Sequence, residues 1–316
     1  MQTAAGSFSV PLLMPIFLPQ LTRREFLKRA ALAGAAVALG PSSYAGPSDR
    51  ARDEHTFAFF SDPHVAADAA LNFAGVNMAD NLAACARELA AWPVPPAAVI
   101  VNGDLAFKFG LPADYATFGK LMEPIRALAP VHLTLGNHDA RGNFWQAFPQ
   151  DATRAAAVPE KQVAVFTSTR ANWFLLDSLN VTDRTPGRLG AAQLHWLARE
   201  LESRPDQPAI VVGHHPLDFT GLLGLKDSSA LEKLLARHRQ VKAFVFGHTH
   251  DWHVRTHQSG VHLINLPPTG YVFDAGRPSG WVRVTLAPDG MEVELRSLDP
   301  NYPDHAKVRR LNWRPT

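Results

Sequence analysis

The chain reads as an α/β protein in which two packed mixed β-sheets are flanked by helices. Three observations carry that expectation. Short apolar runs alternate with amphipathic stretches from Thr56 to Phe246. After His250 the pattern changes to strands alone. Short polar clusters follow successive strand-like runs, where ligands collect in open α/β sheets. Alternation predicts βα units, and the closing run of strands predicts sheet packed on sheet with helices outside.

Each element has its own signal. Thr56 to Phe60 is a strand, and Leu71 to Ala91 reads as a helix. Ala98 to Val101 is a short β-branched strand. Pro112 to Leu128 is helical, with proline in its first turn and apolar residues at helical spacing. Val131 to Leu135, Val163 to Thr167 and Trp173 to Leu176 are strands, the last two neighbours. Ala191 to Leu201 is a helix with Leu194, Leu197 and Leu201 on one face. Ala209 to Val212, a helix from Ser229 to Arg239, and Val241 to Phe246 complete the alternating part. Val261 to Asn265, Trp281 to Leu286 and Met291 to Leu295 are the closing strands. The tail from Pro303 reads as loop, with Lys307, Arg309 and Arg310 solvated.

The bulk numbers exclude some classes. The chain has 316 residues and a formal charge of +2. Residues 1–45 hold Arg23, Arg24, Lys28 and Arg29 against Glu25, a net +3, which leaves −1 for the remainder. A near-neutral body argues against nucleic-acid binding, which needs a basic face. The single cysteine, Cys85, permits no intramolecular disulfide. Leu82, Ala83, Ala86 and Leu89 surround it at helical spacing, which reads as a small buried core residue.

Residues 1–45 are expected to be an address, with one catalytic domain over 46–316. Thr22-Arg23-Arg24-Glu25-Phe26-Leu27-Lys28 resembles the twin-arginine export signal. An apolar stretch from Ala30 to Leu39 follows, then small residues at Ser43-Tyr44-Ala45. A positive region, an apolar region and a cleavage site thus come in the right order. The apolar run is too short for a stable membrane span. The resemblance implies the twin-arginine translocase as a partner during export and a periplasmic or secreted destination. Met14 is an alternative start.

Five clusters carry the chemistry: Asp62-Pro63-His64, Gly103-Asp104, Gly136-Asn137-His138-Asp139, Gly213-His214-His215-Pro216 and Gly247-His248-Thr249-His250. Carboxylate and neutral imidazole suit divalent ions of intermediate hardness such as Mn, Fe or Zn. Seven side chains, Asp62, His64, Asp104, Asn137, His214, His248 and His250, are too many for one tetrahedral ion. They suit two divalent metal ions bridged by a shared carboxylate, a pair that can acidify water and clamp a phosphoryl oxygen. Phosphate-ester hydrolysis needs both effects.

The five clusters, in this order, resemble the calcineurin-like metallophosphoesterase family over residues 56 to about 270. Gln193-Leu194-His195-Trp196-Leu197 resembles a helix start of that family. The resemblance implies that Asp62, His64 and His250 hold one metal. It implies that Asn137, His214 and His248 hold the other and that Asp104 bridges them. His138 would stabilise the transition state or protonate the leaving oxygen. Asp139 and His215 would orient the ligands. A hydroxide between the metals would attack phosphorus of a small-molecule phosphodiester or phosphomonoester. His55, His132, His195, His238, His253, His257, His262 and His305 lie outside the motifs and read as ordinary histidines.

Departures narrow the branch. Phe107 stands where purple acid phosphatases carry tyrosine, and those enzymes lack the equivalent of His64. Leu105-Ala106-Phe107-Lys108-Phe109-Gly110 replaces the Asp-Arg-Gly run of serine/threonine protein phosphatases. What remains resembles the bacterial branch of cyclic-nucleotide and glycerophosphodiester phosphodiesterases. Three segments read as pocket loops: Asp139 to Gln150, Asp218 to Asp227 and Pro267 to Arg277. In them Arg141 and Arg277 are candidates for phosphate, and Tyr271, with Phe144, Trp145, Phe219 and Phe273, for stacking. The alternative is a non-catalytic periplasmic binding protein of the same fold; the complete ligand set and His138 count against it. A cysteine or serine nucleophile fails, because Cys85 has no phosphate loop and no Gly-x-Ser-x-Gly element exists.

Overall fold

The computed structural model describes residues 51–152 and 157–316. The expected export signal lies outside the described residues. Strands β1 (Asp53–Ser61), β4 (Pro96–Asn102) and β5 (Val131–Thr134) are parallel neighbours. Antiparallel strands β12 (Gly280–Ala287), β13 (Gly290–Ser297) and β14 (Val308–Asn312) extend that sheet beyond β1, in the order β14-β13-β12-β1-β4-β5. The second sheet runs β10-β11-β9-β8-β7-β6. Its strands are β6 (Ala164–Thr167), β7 (Asn172–Leu175), β8 (Ala209–Val212), β9 (Val241–Phe246), β10 (His253–Thr256) and β11 (His262–Asn265). β7, β8, β9 and β11 are parallel, and β6 and β10 close the sheet as antiparallel edges.

The period of two along each strand decides the layering. Phe57 and Phe59 of β1 point between the sheets, against Trp173, Ile210, Val245, Ile264 and Val284. Ala58 and Phe60 point the other way, into a core under α1 (Met78–Ala90) and α2 (Pro112–Leu128). On the far side, Phe174, Val211 and Phe244 pack under α5 (Ala191–Glu202) and α6 (Ser228–Arg237). The sandwich of two mixed sheets flanked by helices is therefore the fold.

Three element readings change. The helix expected from Leu71 begins only at Met78, where Asn77 caps it by accepting from the Asp80 N–H. Residues before it form a small hairpin, β2 (Asn72–Phe73) with β3 (Val76–Asn77), turned by Ala74 and Gly75 at φ 51° and 82°. Positive φ at both turn residues closes a two-residue hairpin and prevents helix. The segment after Asp139 is not all loop: it contains α3 (Arg141–Ala147) and α4 (Pro149–Ala152). The C-terminal tail supplies the edge strand β14, where Arg309 and Arg310 pair with Asp304 and Asp289. Its alternating exposed and half-buried pattern is that of an edge strand. Helix α2 runs over the expected span, with Pro112 in its first turn.

Candidate metal centre

All five clusters sit at the carboxyl ends of strands, and both sheets contribute. β1, β4 and β5 of the first sheet lead into Asp62, Asp104 and Asn137; β8 and β9 of the second lead into His214 and His248. The loops are laced together: the Asp62 N–H donates to Gly103 O (3.2 Å), His64 N–H to Asp104 O (2.9 Å), and Gly247 N–H to His214 O (3.0 Å). Asn102 Nδ2 ties the sheets by donating to Gly213 O (3.2 Å).

The backbone is bent at the functional positions. Asp62, His64, Asp104, His248 and His250 all have positive φ, between 47° and 68°. Such angles are uncommon for residues with a Cβ and persist where surrounding structure holds them. They turn successive side chains of one cluster toward the same space. Two glycines allow the close approach. A Cβ on Gly136 would lie 2.1 Å from Asp104 Oδ1, and one on Gly247 2.1 Å from Ser61 Oγ.

The imidazoles share one orientation. His64, His214 and His250 place Nδ1 against the carbonyl oxygens of Phe107 (3.1 Å), Asn102 (3.0 Å) and Tyr271 (2.6 Å). A carbonyl only accepts, so Nδ1 donates and Nε2 faces the centre as the free ligand atom. His64 Nε2 and His250 Nε2 stand 3.0 Å apart. Asp104 Oδ2 lies 3.6 Å from His64 Nε2 and 3.3 Å from His214 Nε2. Asp62 Oδ1 lies 3.5 Å from His250 Nε2 and 3.7 Å from His214 Nε2.

Three groups of potential ligand atoms result: Asp62, His64 and His250; His64, Asp104 and His138; and Asp104, His214 and His248. The first matches one expected metal position and the third most of the other, with Asp104 shared between the second and third. Asn137 Oδ1 is buried without a hydrogen bond among the described residues. Buried polar atoms without partners are costly and mark a ligand position. Carboxylates and Nε2 atoms around one small space, with the unpartnered Asn137 Oδ1, fit divalent cations.

Electrostatics agree with that fit. Burial pushes His64 down to about 3 and His248 to about 4. Both rings are thus neutral, the form that binds metal. Burial would raise Asp62, but the charge of His214 and the bond from His250 hold it down at about 2. Asp104 is likewise held well below the usual carboxylate range against burial, chiefly by His214. His214 moves the other way. Burial disfavours its charge, yet Asp104 and Asp62 outweigh it and raise the ring to about 10.

Surrounding groups hold the ligands. Asp139 is fully buried and accepts from the N–H groups of Gly136 (2.9 Å), Leu105 and Ala106 (3.2 Å each) and from Tyr115 Oη (3.0 Å). It thereby clamps the loop after β4 to the loop after β5. Burial and then the nearby Asp104 charge raise Asp139 to about 7, against those donors. His215 bonds through Nδ1 to Ser178 Oγ (2.8 Å) and packs 4.5 Å from the His248 ring. His138 is half-buried; its Nδ1 donates to Lys108 O (2.9 Å) and stands 3.2 Å from Asp183 Oδ1.

The loop candidates divide. Tyr271 lies against the centre, its ring 4.9 Å from that of His64 and 4.7 Å from that of His250. Arg277 is half-exposed and pairs with Asp251 (3.1 Å). Arg141 departs from the expected phosphate contact. Its guanidinium grips Asp177 through two bonds of 2.6 and 2.8 Å and also donates to Leu179 O. That fork is engaged inside the protein. Phe144 is fully buried and offers no stacking face to a ligand, while Trp145 is half-buried against the same core and donates to Gln162 (2.8 Å).

Sequence reading missed Asp183, Ser61 and Tyr115. Asp183 reaches His138 only because its N–H donates to Asn137 O (2.6 Å), a contact with no local signal. Ser61 Oγ donates to Asp62 Oδ2 and directly precedes the motif, so its position was available.

A cAMP/cGMP dual specificity phosphodiesterase of Mycobacterium tuberculosis is 30% identical over 210 residues. The match covers 64% of this chain and 64% of that protein, short of two thirds of the relative's length. A 3',5'-cyclic adenosine monophosphate phosphodiesterase of Pseudomonas aeruginosa is 29% identical, with 77% of this chain and 81% of that protein covered. The fold of a dimetal phosphatase from Danio rerio superposes with a TM-score of 0.66 at 16% identity, covering 82% of this chain and 99% of that one. Residues 55–252 match the family described as calcineurin-like phosphoesterase, and this chain belongs to that family.

Proposed function

We propose that this protein is an exported, dinuclear metal-dependent phosphoesterase acting on a small phosphodiester, with 3',5'-cyclic nucleotides as the favoured class. The observation that carries the reading is Asp104 Oδ2, poised between His64 and His214 as a shared ligand would be. Asp62, His64 and His250 would hold one divalent ion, Asn137, His214 and His248 the other, and Asp104 both. Bound there, two such ions supply an acidified water and offset negative charge gathering on phosphorus.

The remaining steps belong to the chain. His138 donates from Nδ1 to Lys108 O, which leaves Nε2 facing the ester, and the doubly protonated form of the ring donates from there. A proton there serves the departing oxygen and its hydrogen bond stabilises charge before departure. Asp183 and the loop it caps keep that ring in place. Phe73, Phe107, Tyr271 and Phe273 line one flank, with Phe273 stacked 4.0 Å from His250. Aromatic faces beside the centre suit a nucleobase, and the relatives' names point to the same substrates.

The decisive measurement is hydrolysis of a panel by the metal-loaded protein: cyclic nucleotides, glycerophosphodiesters, nucleotides and a phosphopeptide. Turnover of a cyclic nucleotide, lost in Asp104→Asn, is the expected result. Retention of ligand and metal without product would instead make the chain a binding protein. Export is tested by a reporter fused after residue 45. Its passage to the periplasm should require Arg23 and Arg24.

A further inference from the structure

The turn from Gly247 to Asp251 carries His248 and His250, with Thr249 between them. Both histidines have positive φ, 68° and 52°. Left-handed angles at residues with a Cβ persist where neighbouring structure holds them. In the two-ion reading His250 serves one ion and His248 the other. A shift of this one turn would therefore disturb both.

Asn265 holds the turn from the sheet. It is the last residue of β11 and is fully buried. β11 lies between β9 and β10, and Asn265 pairs with Phe246 on one side and His253 on the other. The following N–H, of Leu266, donates to Phe246 O (2.7 Å). The backbone that bears this amide is thus fixed.

The amide has one orientation. Asn265 Nδ2 donates to Asp251 O, and Thr249 Oγ1 donates to Asn265 Oδ1 (2.8 Å). The Asp251 carbonyl only accepts, so the NH₂ must face it and the amide oxygen must face the hydroxyl. One side chain therefore grips the residue before His250 and the residue after it. Two grips that straddle a residue fix its rotation as well as its position. Other bonds of the turn run to the neighbouring clusters: Gly247 N–H donates to His214 O (3.0 Å), and His248 N–H to the Asp62 carboxylate (3.2 Å to each oxygen). Those bonds join the clusters to one another, whereas Asn265 refers the turn to a strand end.

We propose that Asn265 is a positioning residue for both ions, setting His248 and His250 together through Thr249 and Asp251. It acts through the turn, since both polar atoms of its amide are engaged there. Ligand atoms must stand within about 0.2 Å of their places, so a small rotation of the turn weakens binding. The inference rests on the dinuclear reading and names what keeps its two halves in register.

The test is calorimetric titration of the metal-free full chain with Mn²⁺, with elemental analysis after loading. Wild type should take up two ions per chain. Thr249→Val and Asn265→Ala should bind at both positions with affinity lowered about tenfold or more. Thr249→Ser keeps the hydroxyl and should restore wild-type affinity. Thermal melting of the metal-free variants shows that they are folded; if Asn265→Ala does not fold, Thr249→Val, at a half-buried position, carries the test. Variants that melt lower without metal yet bind both ions as tightly as wild type would make Asn265 a structural residue and overturn the proposal alone. A loss confined to one ion also overturns it. A wild type that takes up no pair of ions overturns the dinuclear reading and this inference with it.

Discussion

His64 and His250, on loops from different sheets, face each other with their Nε2 atoms 3.0 Å apart. Each ring donates its Nδ1 proton to a backbone carbonyl, so two lone pairs meet. Ligand atoms at about 2.1 Å from one ion, at right angles, are separated by about 3 Å. The pair is therefore spaced as adjacent ligands of one cation. Replacing His250→Ala should remove about one of two bound ions per chain and lower activity by on the order of a hundredfold or more. Elemental analysis of the purified variant reads the first effect directly; unchanged metal content would remove His250 from the ligand set.

His214 gives the centre a pH dependence. Its ring is raised to about 10 by Asp104 and Asp62 in the metal-free protein, although burial opposes that charge. A raised pKa means that its ion pair stabilises the metal-free fold fully below the ordinary value of 6.5 and loses that effect as pH rises through about 10. A metal needs the neutral ring, so loading at pH 7 must expel a proton. Titration of metal into weakly buffered protein should release acid, and affinity should rise with pH. The proton release should shrink in His214→Ala.

His138 is expected to act on the ester rather than on the ions. His138→Ala should lower kcat about 10²–10⁴-fold while both metals remain bound. Asp183→Asn should produce a smaller loss, since Asp183 positions the ring through a contact of 3.2 Å. Equal metal loss in His138→Ala would reassign the residue as a ligand, which its place with His64 and Asp104 allows.

Asp139 is a structural clamp, with three backbone donors and Tyr115 converging on one buried carboxylate. Asp139→Asn turns an amide NH₂ toward those donors and should cost about 2–4 kcal/mol. Tyr115→Phe removes two bonds, the one to Asp139 (3.0 Å) and the one from the Ala140 N–H (2.8 Å), and should cost about 1–2 kcal/mol. Denaturant unfolding of the two variants checks both the sizes and their order.

Cys85 is fully buried in the core under α1, and burial pushes its thiol up, out of the reactive range. An aromatic disulfide reagent should leave it untouched in the native protein and modify one thiol per chain after unfolding. Rapid native labelling would place it outside that core.

The residues of the five polar clusters were legible because the signal is local. Asp62, His64, Asp104, Asn137, His214, His248 and His250 each stand within a few residues of a strand end, and strand ends can be read from short apolar runs. Helix α2 was equally legible, since Pro112 and the apolar spacing lie within it. Nothing local announces that Asp183 meets His138, or that Asp177 engages Arg141, 36 residues away in the chain. The start of α1 also escaped, because the turn at Ala74-Gly75 and its pairing override a helical pattern.

The sequence by itself determined the layer order, the strand ends that bear the polar clusters and the kind of ion those clusters suit. Only the tertiary structure decided which side chains meet. Close approach across two sheets depends on chain closure, on positive φ at five positions of the polar clusters and on glycines that let Asp104 and Asp62 come near. Those are properties of the packed whole, and no window along the chain contains them.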